Sequence, residues 1–383
     1  MNNKKGISKG VFSALTWGLD TVISGIILSM EPFAGHVSLL FAPLVAVFLH
    51  DFLGAIWLLI YLTIKGEIVE FFKVFKKKEA LYAAAAGVLG GPIGMGGYYL
   101  AIKNIGPSYS AAISSIYPIM GAILAAILLK EKLNKKGWMG LIIGVLGVVL
   151  LSMDGSGGSI SIKGLLFALL PVIGWGSESI ISSIGMKEGE LKPVQTLNIR
   201  LLASGGTFAA IILPLIHGYG LVENLFTVNI PTLLLIVLVA LIGAISLSSY
   251  YSAINDIGAV KAMVINITYV IWAVVFGLFM GTATITVSKI LFIGLIFVGS
   301  AFVIASKKSE ESLPVIDEYI EIKRANHVET AYIRTAQRVE KLKHKEELVI
   351  QKSTMKIKGK EELEKEKNIK KINKKLKDLA FEK

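Results

Sequence analysis

The chain has 383 residues, 54% hydrophobic and only 18% charged, with a mean hydropathy of +0.65, no cysteine and a formal net charge of +12. Soluble globular proteins average about 45–50% apolar and about 25% charged residues, so an ordinary water-soluble enzyme is not expected. The missing cysteine also excludes disulfides and Cys-based zinc or iron–sulfur chemistry.

A helix crosses a ~30 Å hydrocarbon core with about 20 residues at 1.5 Å each. Ten apolar runs approach or exceed that length, predicting membrane helices over residues 8–30, 37–64, 80–102, 108–129, 137–152, 164–185, 194–216, 231–253, 259–280 and 289–306. The first begins with Lys4, Lys5 and Lys9, as a signal peptide would, but it carries Asp20 and has no small-residue cleavage site before a soluble sequence. It is read as a retained span. Cytoplasmic loops collect Lys and Arg. Five lysines lie between Lys65 and Lys78 and four between Lys130 and Lys136, whereas residues 31–36 and 219–230 have no Lys or Arg. An even number of spans in the cell membrane, with both termini cytoplasmic, accounts for this alternation.

Charge density changes sharply after the tenth run. Residues 1–305 hold 19 Lys+Arg and 13 Asp+Glu, and residues 306–383 hold 21 and 15. Residues 328–383 read as a helix with one narrow apolar stripe at Ile369, Ile372, Leu376 and Leu379. Its lysines suit anionic lipid, the stripe suits a short coiled coil in a homodimer, and a solvated, partly disordered helix is the plain alternative. Interspersed glutamates argue against a nucleic-acid partner.

The membrane part repeats itself. Tyr98-Tyr99-Leu100-Ala101-Ile102-Lys103-Asn104-Ile105-Gly106 aligns with Tyr250-Tyr251-Ser252-Ala253-Ile254-Asn255-Asp256-Ile257-Gly258, and the match runs on to Tyr117 over Tyr269. Trp17-Gly18-Leu19-Asp20 likewise aligns with Trp175-Gly176-Ser177-Glu178. Each half holds five spans; five is odd, so the second copy enters the membrane upside down. Inverted repeats of this kind recur in carriers that bind at their interface. The divisions expected are 1–152 and 153–305 for the two repeats, and 306–383 for the tail.

The paired Trp-Gly of the first and sixth spans, Arg200-Leu201-Leu202-Ala203 in the seventh, Pro118 with Leu128-Leu129-Lys130-Glu131-Lys132-Leu133, and the Gly140/Gly144/Gly147 helix carry a resemblance to a known family. In this order they resemble the drug/metabolite transporter superfamily, EamA type, over nearly all of residues 1–305. The resemblance implies a ten-helix all-α carrier, two inverted halves around a central cavity, moving amino acids, amines or drug-like solutes. The first half departs from it with Leu49-His50-Asp51-Phe52-Leu53 where an arginine like Arg200 belongs, and the second with Met280-Gly281-Thr282 opposite Glu131.

Charges inside a bilayer are costly and mark pathways by default. Asp20, Asp51, Glu178 and Arg200 are therefore the candidates for a substrate cavity or a coupling proton, with an ion pair of Arg200 to Asp51 or Glu178, or snorkelling of Arg200, as the structural alternatives. Of the carboxylates Asp51 is the sharper coupling candidate; His50, about 100° away around the helix, reads as packing. Trp17, Trp175, Tyr117 and Tyr269 are expected on the cavity, where aromatic rings hold amines by cation–π contact. The Tyr-Tyr pairs lie nearer helix ends and read as interfacial belts. The glycines around Pro92 read as helix packing. No nucleophile–base pair, metal set or cofactor motif is present, so no enzyme is expected. A membrane anchor or sensor working through the tail, and a flippase of lipid-linked substrates, remain the rival readings.

Overall fold

A computed structural model describes residues 3–34, 41–154, 161–187, 191–281, 284–306 and 314–380. Its described part is helical, and ten helices are long and apolar enough to cross a membrane: Lys4–Leu28, Ala42–Ile64, Glu79–Ile102, Tyr109–Leu129, Lys135–Met153, Ile162–Met186, Pro193–Leu215, Ile230–Ile257, Ala259–Phe279 and Val287–Ala305. They are called the first to tenth spans below. The ends differ from the expectation where backbone rules outweigh hydropathy. The eighth span runs on past Ala253 and stops at Gly258, whose φ of +87° closes the helix in a conformation that favours glycine. The fifth, sixth and tenth spans start at Asn134, Ser161 and Thr286, whose side chains accept the N–H of Gly137, Gly164 and Lys289. The expected start of the second span at residue 37 lies outside the described residues; the helix is seen from Ala42, with Pro43 in its first turn.

Large apolar side chains cover the outside of the bundle. Ile64, Leu81, Leu215 and Phe279 are more than 70% exposed, while Asp20, Asp51, Glu178 and Arg200 are buried. This inversion of the water-soluble pattern is what a hydrocarbon solvent selects.

Span pairing follows small residues. The first span lies along the eighth, the third against the sixth and seventh, and the fifth along the tenth. In the last pair Gly140, Gly144 and Gly147 face Ile296 and Gly299 so closely that a Cβ on Gly299 would overlap the backbone of Gly144. Gly299→Val therefore has to force two helices apart, and it is expected to lower the thermal unfolding midpoint in detergent by a clear margin. The control is Gly294→Val on the same span, where a Cβ meets nothing within 4 Å.

Contacts define two faces. Lys9 pairs with Asp256 at 2.7 Å on the face where the first span starts. Thr232 donates to the Glu31 carbonyl at 2.7 Å on the opposite face, where Thr286 and Ser288 both donate to Asp154 at 3.0 Å. On the first face, Lys192 donates to Glu67 at 3.3 Å and lies 3.6 Å from Glu70, tying the short helix Ile68–Val74 to the seventh span. The hydrogen bond to Glu67 holds the Lys192 ammonium above its usual pKa.

The tail separates from the membrane part as a unit of its own. It is one helix, Pro314–Ala380, of 67 residues, on the order of 100 Å long at 1.5 Å per residue. Ile369 and Ile372 of the apolar stripe are each 58% exposed; the side chains of Leu376 and Leu379 lie outside the described residues.

Candidate functional site

The glycine-rich third span does more than pack. Leu89–Met95 winds as a π-helical turn with Pro92 inside it. Proline has no N–H to donate, and a widened turn releases carbonyls from the helical ladder. The Gly90 carbonyl accepts the Trp175 indole N–H at 3.2 Å. A Cβ on Gly90 would overlap the Glu178 carboxylate, and one on Gly91 would overlap the Ser204 hydroxyl and stand 3.1 Å from Asp51 Oδ2. These two glycines make room for charge.

The charges form one buried network across five spans. Arg200 donates from Nε to Glu178 Oε1 and from Nη1 to Asp51 Oδ2, each at 2.7 Å. Ser204 donates to the same Asp51 oxygen at 2.5 Å. Asp51 Oδ1 lies 3.2 Å from His50 Nδ1, and His50 Nε2 lies 3.0 Å from Asp20 Oδ2. Tyr251 closes the far end, donating to Glu178 Oε1 at 2.9 Å. Gly243 of the eighth span admits the His50–Asp20 pair, since a Cβ there would overlap the imidazole. Asp20, His50, Asp51, Glu178, Arg200 and Tyr251 are all buried.

Both ion pairs held open as structural alternatives are present, and Arg200 does not snorkel; at 4% exposure it is enclosed by its two carboxylates. His50 is not a packing residue. Although it points away from Asp51 around the helix, the two side chains bend together, and the ring joins Asp51 to Asp20 thirty residues away. Its adjacency to Asp51 was the one available signal. Asp51 itself is engaged by Arg200, Ser204 and His50, whereas Asp20 and Glu178 reach open space.

That space is two adjoining chambers sharing Trp17, Met95, Trp175 and Tyr269 in their walls. The larger, about 240 Å³, holds Asp20, Tyr98 and Tyr99 and runs toward Leu28 and Ile102, the ends of the first and third spans on the face opposite Lys9. The smaller, about 50 Å³, holds Glu178, Arg200, Tyr117 and Tyr250. On the Lys9 face it is covered by polar contacts. Tyr117 donates to Asn266 at 3.1 Å, Asn266 to Ser13 at 3.4 Å, and Ser246 to the Ser13 carbonyl at 2.8 Å. Trp17, Trp175, Tyr117 and Tyr269 all line the chambers. So do Tyr98, Tyr99 and Tyr250, while Tyr251 is fully buried beside Glu178; the Tyr-Tyr pairs are not interfacial belts, because their hydroxyls point to partners inside the bundle. Trp175 stands 5.2 Å from the Tyr98 ring and 5.9 Å from the Tyr117 ring, and Trp17 stands 6.1 Å from the His50 ring. Among the described residues, no group of three or more His, Asp or Glu is arranged to hold a metal ion.

The network carries three carboxylates against one guanidinium. Counted formally, with every carboxylate ionised and His50 protonated, the sum is minus one, in a medium where a Coulomb term is far stronger than in water. Aromatic rings with their negative faces complete a wall suited to a cation.

Comparison with known proteins matches the model of the EamA-like transporter family to residues 4–153 and again to 162–305. Protein LicB of Haemophilus influenzae is 31% identical over 276 residues, covering 71% of this chain and 88% of that protein. An uncharacterized transporter of Clostridium kluyveri is 26% identical over 237 residues, covering 61% of this chain and 74% of its own. One crystal structure shares the fold at a TM-score of 0.58 and 16% identity, covering 78% of this chain and 96% of the other.

Proposed function

The chain belongs to the EamA-like transporter family, and we propose that this multi-pass membrane transporter of small solutes carries a small organic ammonium ion in exchange for a proton. The observation that carries the reading is the excess negative charge of the buried network beside an aromatic wall. The larger chamber, about 240 Å³, suits a compact solute. The ammonium pairs with Asp20, with Trp17, Trp175 and Tyr269 around its alkyl groups. Binding is tested by thermal shift with alkylammonium ions of increasing size against neutral alcohols of the same shape. Stabilisation by the ammonium series alone is expected; stabilisation by neutral or anionic solutes with the ammonium ions inert overturns it.

Hydrogen-bond stoichiometry supports proton exchange. A neutral imidazole has one donor and one acceptor nitrogen, yet both nitrogens of His50 face carboxylate oxygens. Two favourable bonds require two protons among Asp20, His50 and Asp51. A cation arriving at Asp20 supplies a positive charge that makes one proton redundant, so one cation enters as one proton leaves. This moves the coupling role from Asp51, occupied by Arg200, to Asp20 and His50. In proteoliposomes, His50→Asn is expected to retain substrate exchange while losing at least ten-fold of the stimulation given by a pH gradient; unchanged stimulation removes His50 from the coupling path.

We place the bundle in the cell membrane with both termini cytoplasmic, on the lysine asymmetry of the loops. The lysine-rich tail is proposed to favour anionic lipid. Removing residues 306–383 is expected to leave uptake intact, which separates the carrier from a sensor acting through that tail.

A further inference from the structure

The two repeats place the same three groups around each chamber. The offset that sets Asp20 on Glu178 also sets Ser24 on Ser182 and Thr21 on Ser179, and the offset of the tyrosine strings sets Tyr98 and Tyr99 on Tyr250 and Tyr251. Each half therefore has an acid, a hydroxyl one turn further along the same span, and a tyrosine pair on a second span. In the second half this set is shut. Tyr251 donates to Glu178 at 2.9 Å, Ser182 donates to Tyr251 at 3.1 Å, and the Tyr250 and Ser179 hydroxyls lie 2.8 Å apart. In the first half the acid is not capped by its tyrosine: the Tyr99 hydroxyl turns to Ser24 and that of Tyr98 to Tyr269. Asp20 is bonded to His50 and Ser24 and not to Tyr99, and Tyr98, Tyr99, Thr21 and Ser24 all line the larger chamber.

Inverted repeats exchange conformations when a carrier reverses. We propose that Tyr251 and Tyr99 are alternating latches, each donating its hydroxyl to the acid of its own repeat only while that side of the bundle is closed. Tyr251 on Glu178 closes the Lys9 face; Tyr99 on Asp20 closes the other. A capped acid has given a lone pair to the phenol: capped Glu178 borders only the chamber of about 50 Å³, whereas uncapped Asp20 borders the one of about 240 Å³, so one acid at a time is presented to solute. This rests on the carrier reading for its purpose, but its geometry does not depend on which solute is moved.

Because the chain has no cysteine, single introduced thiols report each side. Gly25→Cys lies in the wall of the larger chamber where a Cβ meets nothing within 4 Å, and Leu247→Cys lies in the wall of the smaller one. The labelling rate of each with a charged maleimide is measured in the full chain, with Tyr251→Phe or Tyr99→Phe added, after thermal unfolding shows that each variant is folded. Loss of a hydrogen bond to a carboxylate is expected to move the equilibrium about ten-fold. Tyr251→Phe should slow labelling of the Gly25→Cys chain and speed that of the Leu247→Cys chain; Tyr99→Phe should do the reverse. Shifts of both variants in the same direction, or no shift in folded variants, overturn the latch. Labelling needs no solute, so opposed shifts without any uptake keep the latch and dismiss the carrier, whereas uptake with parallel shifts keeps the carrier and dismisses the latch.

Discussion

Arg200→Met is expected to destabilise the protein by about 3–5 kcal/mol, the usual cost of removing one partner from a buried ion pair. The guanidinium is the only described cation in contact with both Asp51 and Glu178. Without it two carboxylates face each other's field inside the bundle, with only hydroxyls and the already shared His50 to answer them. Unfolding in detergent measures the loss. Arg200→Lys restores little, because a single ammonium nitrogen cannot occupy the two positions, Nε and Nη1, from which Arg200 donates. The triple variant Arg200→Met, Asp51→Asn, Glu178→Gln removes the unbalanced charge and is expected to recover most of the stability but none of the uptake. If Arg200→Met alone unfolds at the wild-type temperature, the network does not hold the bundle together as described.

The smallest substitution in the third span should have the second large effect. Gly90→Ala adds one methyl where the Glu178 carboxylate already sits. The carboxylate is the free end of a flexible side chain, but Arg200 and Tyr251 hold it in place, so yielding breaks a charge-assisted bond. Uptake is expected to fall at least ten-fold, with a loss of about 1.5–3 kcal/mol from the bond to a charged group. Gly206→Ala is the matched control, since its Cβ would meet nothing within 4 Å. There the gain in helix propensity, up to about 1 kcal/mol, should leave the protein as stable as before or slightly more so. Equal behaviour of the two variants would mean that the π-helical turn does not cradle the acid.

Much of this was legible from residues alone, for a physical reason. A membrane helix is dictated by a local quantity, about 20 apolar residues in a row, and each helix satisfies its own backbone. The ten spans, the odd five-helix repeat and the tail therefore stand in the sequence almost unaided. Four charged residues were also visible, because a charge in such a run is rare enough to announce itself. The departures lie where local pattern gives way. The helix ends moved to Asn134, Ser161 and Gly258, which act through capping and a positive φ rather than hydropathy.

Partnership was not legible. Asp51, Arg200 and Glu178 lie on three different spans, with 149 and 22 residues separating the bonded pairs, and periodicity along one helix carries no information about which face meets which. The same holds for His50 and for the tyrosine pairs, whose nearness to helix ends suggested an interface until the packing turned Tyr250 and Tyr251 inward onto Ser179 and Glu178. Sequence determined that charge lies within the membrane and on which spans. Only the tertiary structure decided which charges neutralise one another and which, like Asp20, are left facing a cavity, because that depends on side chains from separate helices meeting at distances of about 3 Å.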